Sequence, residues 1–208
     1  MSDEFNFIST GVGGQGVVLM TNVVGEAGAI SDRQVISGEM HGLSQRSGSV
    51  IIHLRIGKDA ISPLIPFGEA DVILALEPME ALRYLFYLRP GGTVITNTNI
   101  VHPPNESSEL VAKKKERFVT YEEVIAAIKS TGAKIVEIDA LALAHDAGNA
   151  LTENVVMVGA LSALSGFPIE KETMLEAVRN TVPKKVIAIN EKAFENGYHA
   201  HENFDKEE

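Results

Sequence analysis

Cysteine is absent from all 208 positions of the chain. That excludes a disulfide framework, a thiolate zinc site, a cysteine nucleophile and any cysteine-ligated iron–sulfur cluster held by this chain. Positive charge is scarce as well. Eighteen Lys and Arg face 28 Asp and Glu, a formal net charge of −10, which argues against nucleic acid or an anionic membrane as a partner. No apolar run approaches the roughly 20 residues that span a bilayer. The opening MSDEFNFIST has neither the basic region nor the long apolar region of a signal peptide, so a cytoplasmic setting is expected. The sequence also has no G-x-S-x-G elbow, no Walker A lysine and no H-E-x-x-H pair, and so none of the self-contained catalytic signatures those motifs carry.

What is present is ordinary globular material, 45% hydrophobic and 22% charged, enough to bury a core without crosslinks. FNFIS (5–9) reads as a short strand feeding a glycine-rich loop. Behind the loop, Val17, Met20, Val24 and Ala27 fall on one helical stripe in a helix to about Ile30. RQVIS (33–37) reads as a second strand, followed by a polar stretch, 38–49, without an assignable period. VIIHLRI (50–56) alternates, with Val50, Ile52, Leu54 and Ile56 on one face and Ile51, His53 and Arg55 on the other. DVILALE (71–77) has the continuous apolar character of a strand buried on both faces. Glu77-Pro78 opens a helix with proline at its first position, which PGG (90–92) is expected to end before the strand TVITN (93–97). Residues 97–118 read as a surface excursion. Thr120 and Glu123 have capping-box spacing ahead of a helix ending near Gly132. AKIVEID (133–139) is a further strand, and the last third is helical. The expected fold is α/β: a single Rossmann-like domain over residues 1–200, mostly parallel sheet flanked by helices, with a charged tail at 201–208.

Two stretches carry candidate chemistry. GVGGQGVVLM (11–20) satisfies G-x-G-x-x-G through Gly11, Gly13 and Gly16, with Gly14 and Gln15 inside the loop. Lying between a strand and a helix, it is placed to cradle an anion with backbone N–H groups and the helix dipole. It is equally consistent with a tight turn whose glycines only permit close packing. A dinucleotide reading needs an acid closing the second strand about 20 residues on; Glu39 has that distance but sits after Ser37-Gly38 in the polar stretch. That stretch is the second candidate, with Glu39, His41, Gln45 and Arg46 among hydroxyls within eleven residues. Arg46 offers the fixed donor fork that suits carboxylate or phosphate, or a contact with a partner chain. Elsewhere, the H-x-H of His199 and His201 lacks a spaced third metal ligand, His145 falls near a helix end, and Lys113–Lys115 reads as a solvated face.

GVGGQGVVLM together with GEMHGLSQRSGSVIIHLRIG strongly resembles the gamma-type domain of the 2-oxoacid:ferredoxin oxidoreductases, in particular the small subunits of the branch acting on indolepyruvate. Gly38, Glu39, His41, Gly42, Gln45, Arg46, Gly48, Ser49 and Val50 match that branch's segment, and NVVMVGAL (154–161) and NEKAFENG (190–197) are similar too. Met40 and Ser47 depart from the usual pattern, so the particular 2-oxoacid is left open. The resemblance implies oxidative decarboxylation of an aryl 2-oxoacid to its acyl-CoA with reduction of ferredoxin. It places thiamine diphosphate, magnesium and [4Fe–4S] clusters on a larger alpha subunit, through which ferredoxin is also met. No G-D-G segment of the thiamine-binding kind occurs here, so this chain is expected to be inactive alone. Coenzyme A then becomes the anionic visitor expected at the loop, touching Gly11, Gly13, Gly14, Gln15, Gly16, His41, Gln45 and Arg46, residues that would otherwise contact the partner subunit. Two other readings stay open: a free-standing NAD(P)-binding oxidoreductase using Glu39, and an assembly module that kept the fold and lost its ligand.

Overall fold

The computed structural model describes residues 4–41, 48–58, 60–101 and 117–207. Its six strands are β1 (Phe5–Val12), β2 (Val35–His41), β3 (Ser49–Ile56), β4 (Ala70–Ala75), β5 (Leu88–Asn97) and β6 (Lys134–Ile138). They form one sheet in the order β2-β3-β1-β4-β5-β6. β1, β4, β5 and β6 are parallel, while β3 runs antiparallel to both β1 and β2. The sheet is therefore mixed: four of its six strands pair in parallel, in keeping with the expected mostly parallel sheet, and β3 is an antiparallel insertion at one side.

Helix α1 (Val17–Ile30) packs on one face with α4 (Ala140–Ala147), α5 (Glu153–Ser162), α6 (Lys171–Thr181) and α7 (Ile187–Glu207). The other face is covered by α2 (Pro78–Arg83), α3 (Tyr121–Lys129) and the 57–69 connection through Ile65. The alternation in β3 sorts residues between these faces: Ile52 and Leu54 enter the first core and Ile51 the second. His53 lies on the second side, fully buried, edge-on to Tyr87 with ring centroids 4.8 Å apart. Its Nδ1 accepts the Ile65 N–H at 3.1 Å, and burial lowers its pKa, so it packs as a neutral core ring. Arg55 pairs locally with Glu4 at 2.6 Å and Asn6 at 3.1 Å.

Three element boundaries differ from the sequence reading. β2 runs on through Gly38, Glu39 and Met40 to His41, because pairing with β3 overrides the low strand propensity of that polar stretch. α2 ends at Arg83, and Leu88–Gly92 belongs to β5 rather than to a helix terminus. α7 continues to Glu207, with His201 on its buried side and only 1% exposed.

α5 is buried from Asn154 to Ser162 and lies in the middle of the helical layer. Its contact with α7 is backbone on backbone: a Cβ on Gly159 would stand 2.0 Å from the Phe194 carbonyl, and one on Gly197 1.9 Å from the Val156 carbonyl. Gly159→Ala must therefore part the two helices. We expect it to cost roughly 3 kcal/mol, read as a lower urea midpoint at unchanged slope; an unchanged midpoint would show that the helices part freely.

Candidate functional site

β1 is followed by α1 on one face of the sheet, and its parallel neighbour β4 by α2 on the other. The carboxyl ends of β1 and β4 therefore flank a topological switch point, where open α/β sheets leave a crevice for ligands. The glycine loop lies at this crevice. Gly11 is the penultimate residue of β1, and a Cβ there would meet the Gln15 side chain at 2.8 Å and Leu76 at 3.1 Å. Gly13 N–H donates to the Gly48 carbonyl at 2.8 Å, tying the loop to the residue that precedes β3. Gly14 is exposed at φ +100°. Gly16 takes φ +87° as the N-cap of α1, with no side-chain cap and no acid in the first turn.

Gln15 does more than occupy the loop. Its Oε1 accepts the Val12 N–H at 2.7 Å, and its Nε2 donates to the Leu76 carbonyl at 3.3 Å, so one amide spans the ends of β1 and β4. From the other side the Leu76 carbonyl accepts Asn97 Nδ2 at 3.4 Å. Asn97, fully buried at the end of β5, also donates to Glu153 Oε2 at 2.9 Å and accepts the Ala140 N–H at 3.2 Å. A row of amides thus joins β1, β4, β5 and the starts of α4 and α5 along the carboxyl edge. Asn154, next to Glu153, donates from Nδ2 to the Gly16 carbonyl at 3.5 Å.

A second group gathers beneath the loop. Glu77 caps α2, accepting the Glu80 N–H at 2.9 Å and the Val101 N–H at 3.2 Å while only 1% exposed. Burial pushes its carboxyl up to about 7, against the backbone donors of Glu80, Val101 and Met79 and helped by the neighbouring Glu80 charge. Glu80 is 4% exposed. It accepts the Ser49 hydroxyl and the Arg83 Nε–H, the latter at 3.1 Å.

Of the residues singled out in the sequence, Gly11, Gly13, Gly14, Gln15 and Gly16 form this loop. His41 closes β2, two strand positions from β1. Gln45 and Arg46 lie outside the described residues. Glu39 is on β2, and β3 intervenes between β2 and β1, which puts it about 10 Å across the sheet from the strand that feeds the loop. The adjacent-strand geometry of a dinucleotide fold is absent at this point. His199 pairs with Glu202 at 3.0 Å, whereas His201 turns inward to the Ala160 carbonyl. Among the described residues no three imidazole or carboxylate groups come together as a metal set. Sequence reasoning missed Asn97, Glu153 and Asn154; Asn154 lies 138 positions from Gly16, beyond any local pattern.

Two predictions follow from this geometry. Gly14→Ala and Gly16→Ala both place a side chain at positive φ, but only the second also strikes Asn154, 2.2 Å from its Cβ. Denaturant titration should show a cost of about 1 kcal/mol for the first and at least twice that for the second; equal costs would mean that Asn154 yields freely. Glu77, raised from its ordinary 4.5, holds its proton in the folded chain where the unfolded chain has released it. Stability should fall as pH rises from about 5 to about 7 and level off above that, by ~2 kcal/mol relative to Glu77→Gln. Parallel pH profiles for the two proteins would contradict this.

Comparison with known proteins places these features. The family model for pyruvate ferredoxin/flavodoxin oxidoreductase matches residues 6–200. The indolepyruvate oxidoreductase subunit IorB of Thermococcus kodakarensis is 43% identical over 198 residues, which covers 95% of this chain and 96% of that protein. Relatives named as the common gamma subunit of pyruvate/ketoisovalerate oxidoreductases follow at 26–27%. Among solved structures, the gamma subunit of a keto/oxoacid ferredoxin oxidoreductase from Geobacter sulfurreducens superposes with a TM-score of 0.69 at 23% identity, covering 96% of this chain and 99% of that one. The 2-oxoglutarate:ferredoxin oxidoreductase of Magnetococcus marinus, solved with coenzyme A bound, gives 0.72 at 19% identity over 98% of this chain and 32% of its own. At those identities the two structures speak to the fold.

Proposed function

The chain belongs to the pyruvate ferredoxin/flavodoxin oxidoreductase family, and from that premise we propose that it is the cluster-free small subunit of an indolepyruvate:ferredoxin oxidoreductase. The observation that carries this reading is the near end-to-end match to subunits of that name, well above the match to the pyruvate/ketoisovalerate subunits. Thiamine diphosphate with magnesium and [4Fe–4S] clusters supply the decarboxylation and the single-electron chemistry of such an enzyme. A chain without cysteine cannot ligate such clusters through thiolates. We therefore assign the clusters, the thiamine and the contact with ferredoxin to a larger alpha subunit, and the whole to the cytoplasm.

This chain's own residues bind and orient. Uncapped at Gly16 and free of acids in its first turn, α1 favours an anion at the loop. Coenzyme A carries such anionic groups on its phosphates, and the arrangement suits one wall of a shared coenzyme A site. Gly11, Gly13, Gly14, Gln15 and Gly16 would form that wall, and His41, Gln45 and Arg46 are proposed as further contacts of the ligand or the partner subunit. The Gln15 bridge keeps the crevice between β1 and β4 closed, so the ligand lies over the loop rather than down between the strands.

The test is an oxygen-free pull-down of the tagged chain, assayed for indolepyruvate- and coenzyme A-dependent reduction of a viologen dye. A coloured complex with that activity, absent from the isolated chain, is the expected outcome. A colourless, solitary chain would overturn the subunit reading. In the active complex Arg46→Ala should raise the KM for coenzyme A by about tenfold, the loss of one charge-assisted contact. An unchanged KM with a weakened complex would move Arg46 to the subunit interface.

A further inference from the structure

The loop's grip on Gly48 has a support that neither the family nor the coenzyme A reading assigns. Gly48, whose carbonyl holds Gly13, is followed by Ser49, and Ser49 is the register partner of Val12, the last residue of β1. The end of β1 and the start of the glycine loop are thus fixed to two consecutive residues at the root of β3. Alone, that contact is the last rung of a two-stranded ladder, the place where ladders fray.

Here the rung is held from below. Ser49 donates its hydroxyl hydrogen to Glu80 Oε2, and its oxygen lies 2.6 Å from the Tyr84 hydroxyl. A serine hydroxyl has one hydrogen, so with Glu80 as its acceptor the Tyr84 O–H is the donor of the second bond. Tyr84 O–H to Ser49 O–H to Glu80 carboxylate is therefore a directed chain, and it ends on a charged acceptor, the stronger kind. Glu80 cannot swing away easily: it is 4% exposed, its other oxygen is held by Arg83 Nε, and its own N–H is held by Glu77. Tyr84 C-caps the short helix α2, its N–H bonding back to the Glu80 carbonyl at 3.3 Å. Both grips on Ser49 thus come from one rigid turn following β4, the strand to which Gln15 ties β1.

We propose that Ser49, Glu80 and Tyr84 form a clasp that fixes the conformation of the glycine loop, with Glu80 and Tyr84 as positioning residues for the ligand held there. The mechanical part stands on the hydrogen bonds alone; the consequence for coenzyme A rests on the function proposed above. Without the clasp, the Gly13–Gly48 bond opens more often and the loop samples conformations that do not present its N–H groups together.

The test uses Ser49→Ala, Tyr84→Phe and Ser49→Thr. Amide hydrogen exchange of residues 11–20 is followed in the full chain, and KM and kcat for coenzyme A in the reconstituted complex. Ser49→Ala and Tyr84→Phe should each speed exchange in 11–16 by about five- to tenfold, the loss of one hydrogen bond. Each should also raise KM with kcat retained, and Ser49→Thr, which keeps the hydroxyl, should restore both. Exchange at 11–16 that stays at the native rate in both Ser49→Ala and Tyr84→Phe would overturn the clasp. Faster exchange with unaltered KM would leave the clasp standing and overturn the assignment of coenzyme A to the loop.

Discussion

The side-chain amide of Gln15 joins the ends of two strands whose register partners are 65 residues apart in the chain, and the arrangement around the loop depends on that bridge. β1 and β4 are parallel neighbours whose backbone pairing runs to the Leu76 N–H and the Thr10 carbonyl at 2.9 Å, beyond which their following helices leave on opposite faces. Gln15 adds a side-chain connection, with its oxygen accepting the Val12 N–H and its nitrogen donating to the Leu76 carbonyl. The same Leu76 carbonyl receives Asn97 from the far side, which extends the stitching to β5 and to the starts of α4 and α5. Replacing Gln15 by a residue without both functions would leave the buried Val12 N–H without its acceptor and take one of two donors from the Leu76 carbonyl, at the position where a dinucleotide fold opens for its cofactor.

With the crevice bridged, the loop's chemistry faces outward. The backbone of Gly16 presents the start of α1, Asn154 approaches it from the buried helix α5, and Gly13 reaches to Gly48. α5 can come that close because Gly159 and Gly197 let its backbone touch that of α7. Close packing deep in the helical layer is thus transmitted to the surface loop. The result is a loop held from its inner side, which in the function proposed above serves as one wall of a site shared with a larger partner.

Much of the architecture was legible in the sequence, because hydrophobic period is a local property. The strand at 71–77, the proline-opened α2, the capping box at Thr120 and the helical character of the last third all follow from side chains within a few residues of one another. The misses come from non-local causes. β2 extends through Gly38–His41 because β3 supplies its hydrogen bonds, and no pattern in a polar stretch announces a partner strand. The same insertion of β3 removes Glu39 from the neighbourhood of the loop, which spacing along the chain could not reveal. Asn97, Glu153 and Asn154 look like ordinary strand-end or helix residues until the fold brings them to one edge. The glycine loop itself was visible, yet its meaning turned on Gln15, whose role is defined by Leu76, 61 positions away.

The most direct test is a titration of the isolated chain with NADH and NADPH, following the backbone amide resonances of Gly13 to Val18. The Gln15 bridge and the position of Glu39 predict no saturable binding and no shifts at micromolar cofactor. Saturable micromolar binding with shifts confined to those amides would mean that the crevice opens for a dinucleotide, and would contradict the account of the loop as a closed, outward-facing wall.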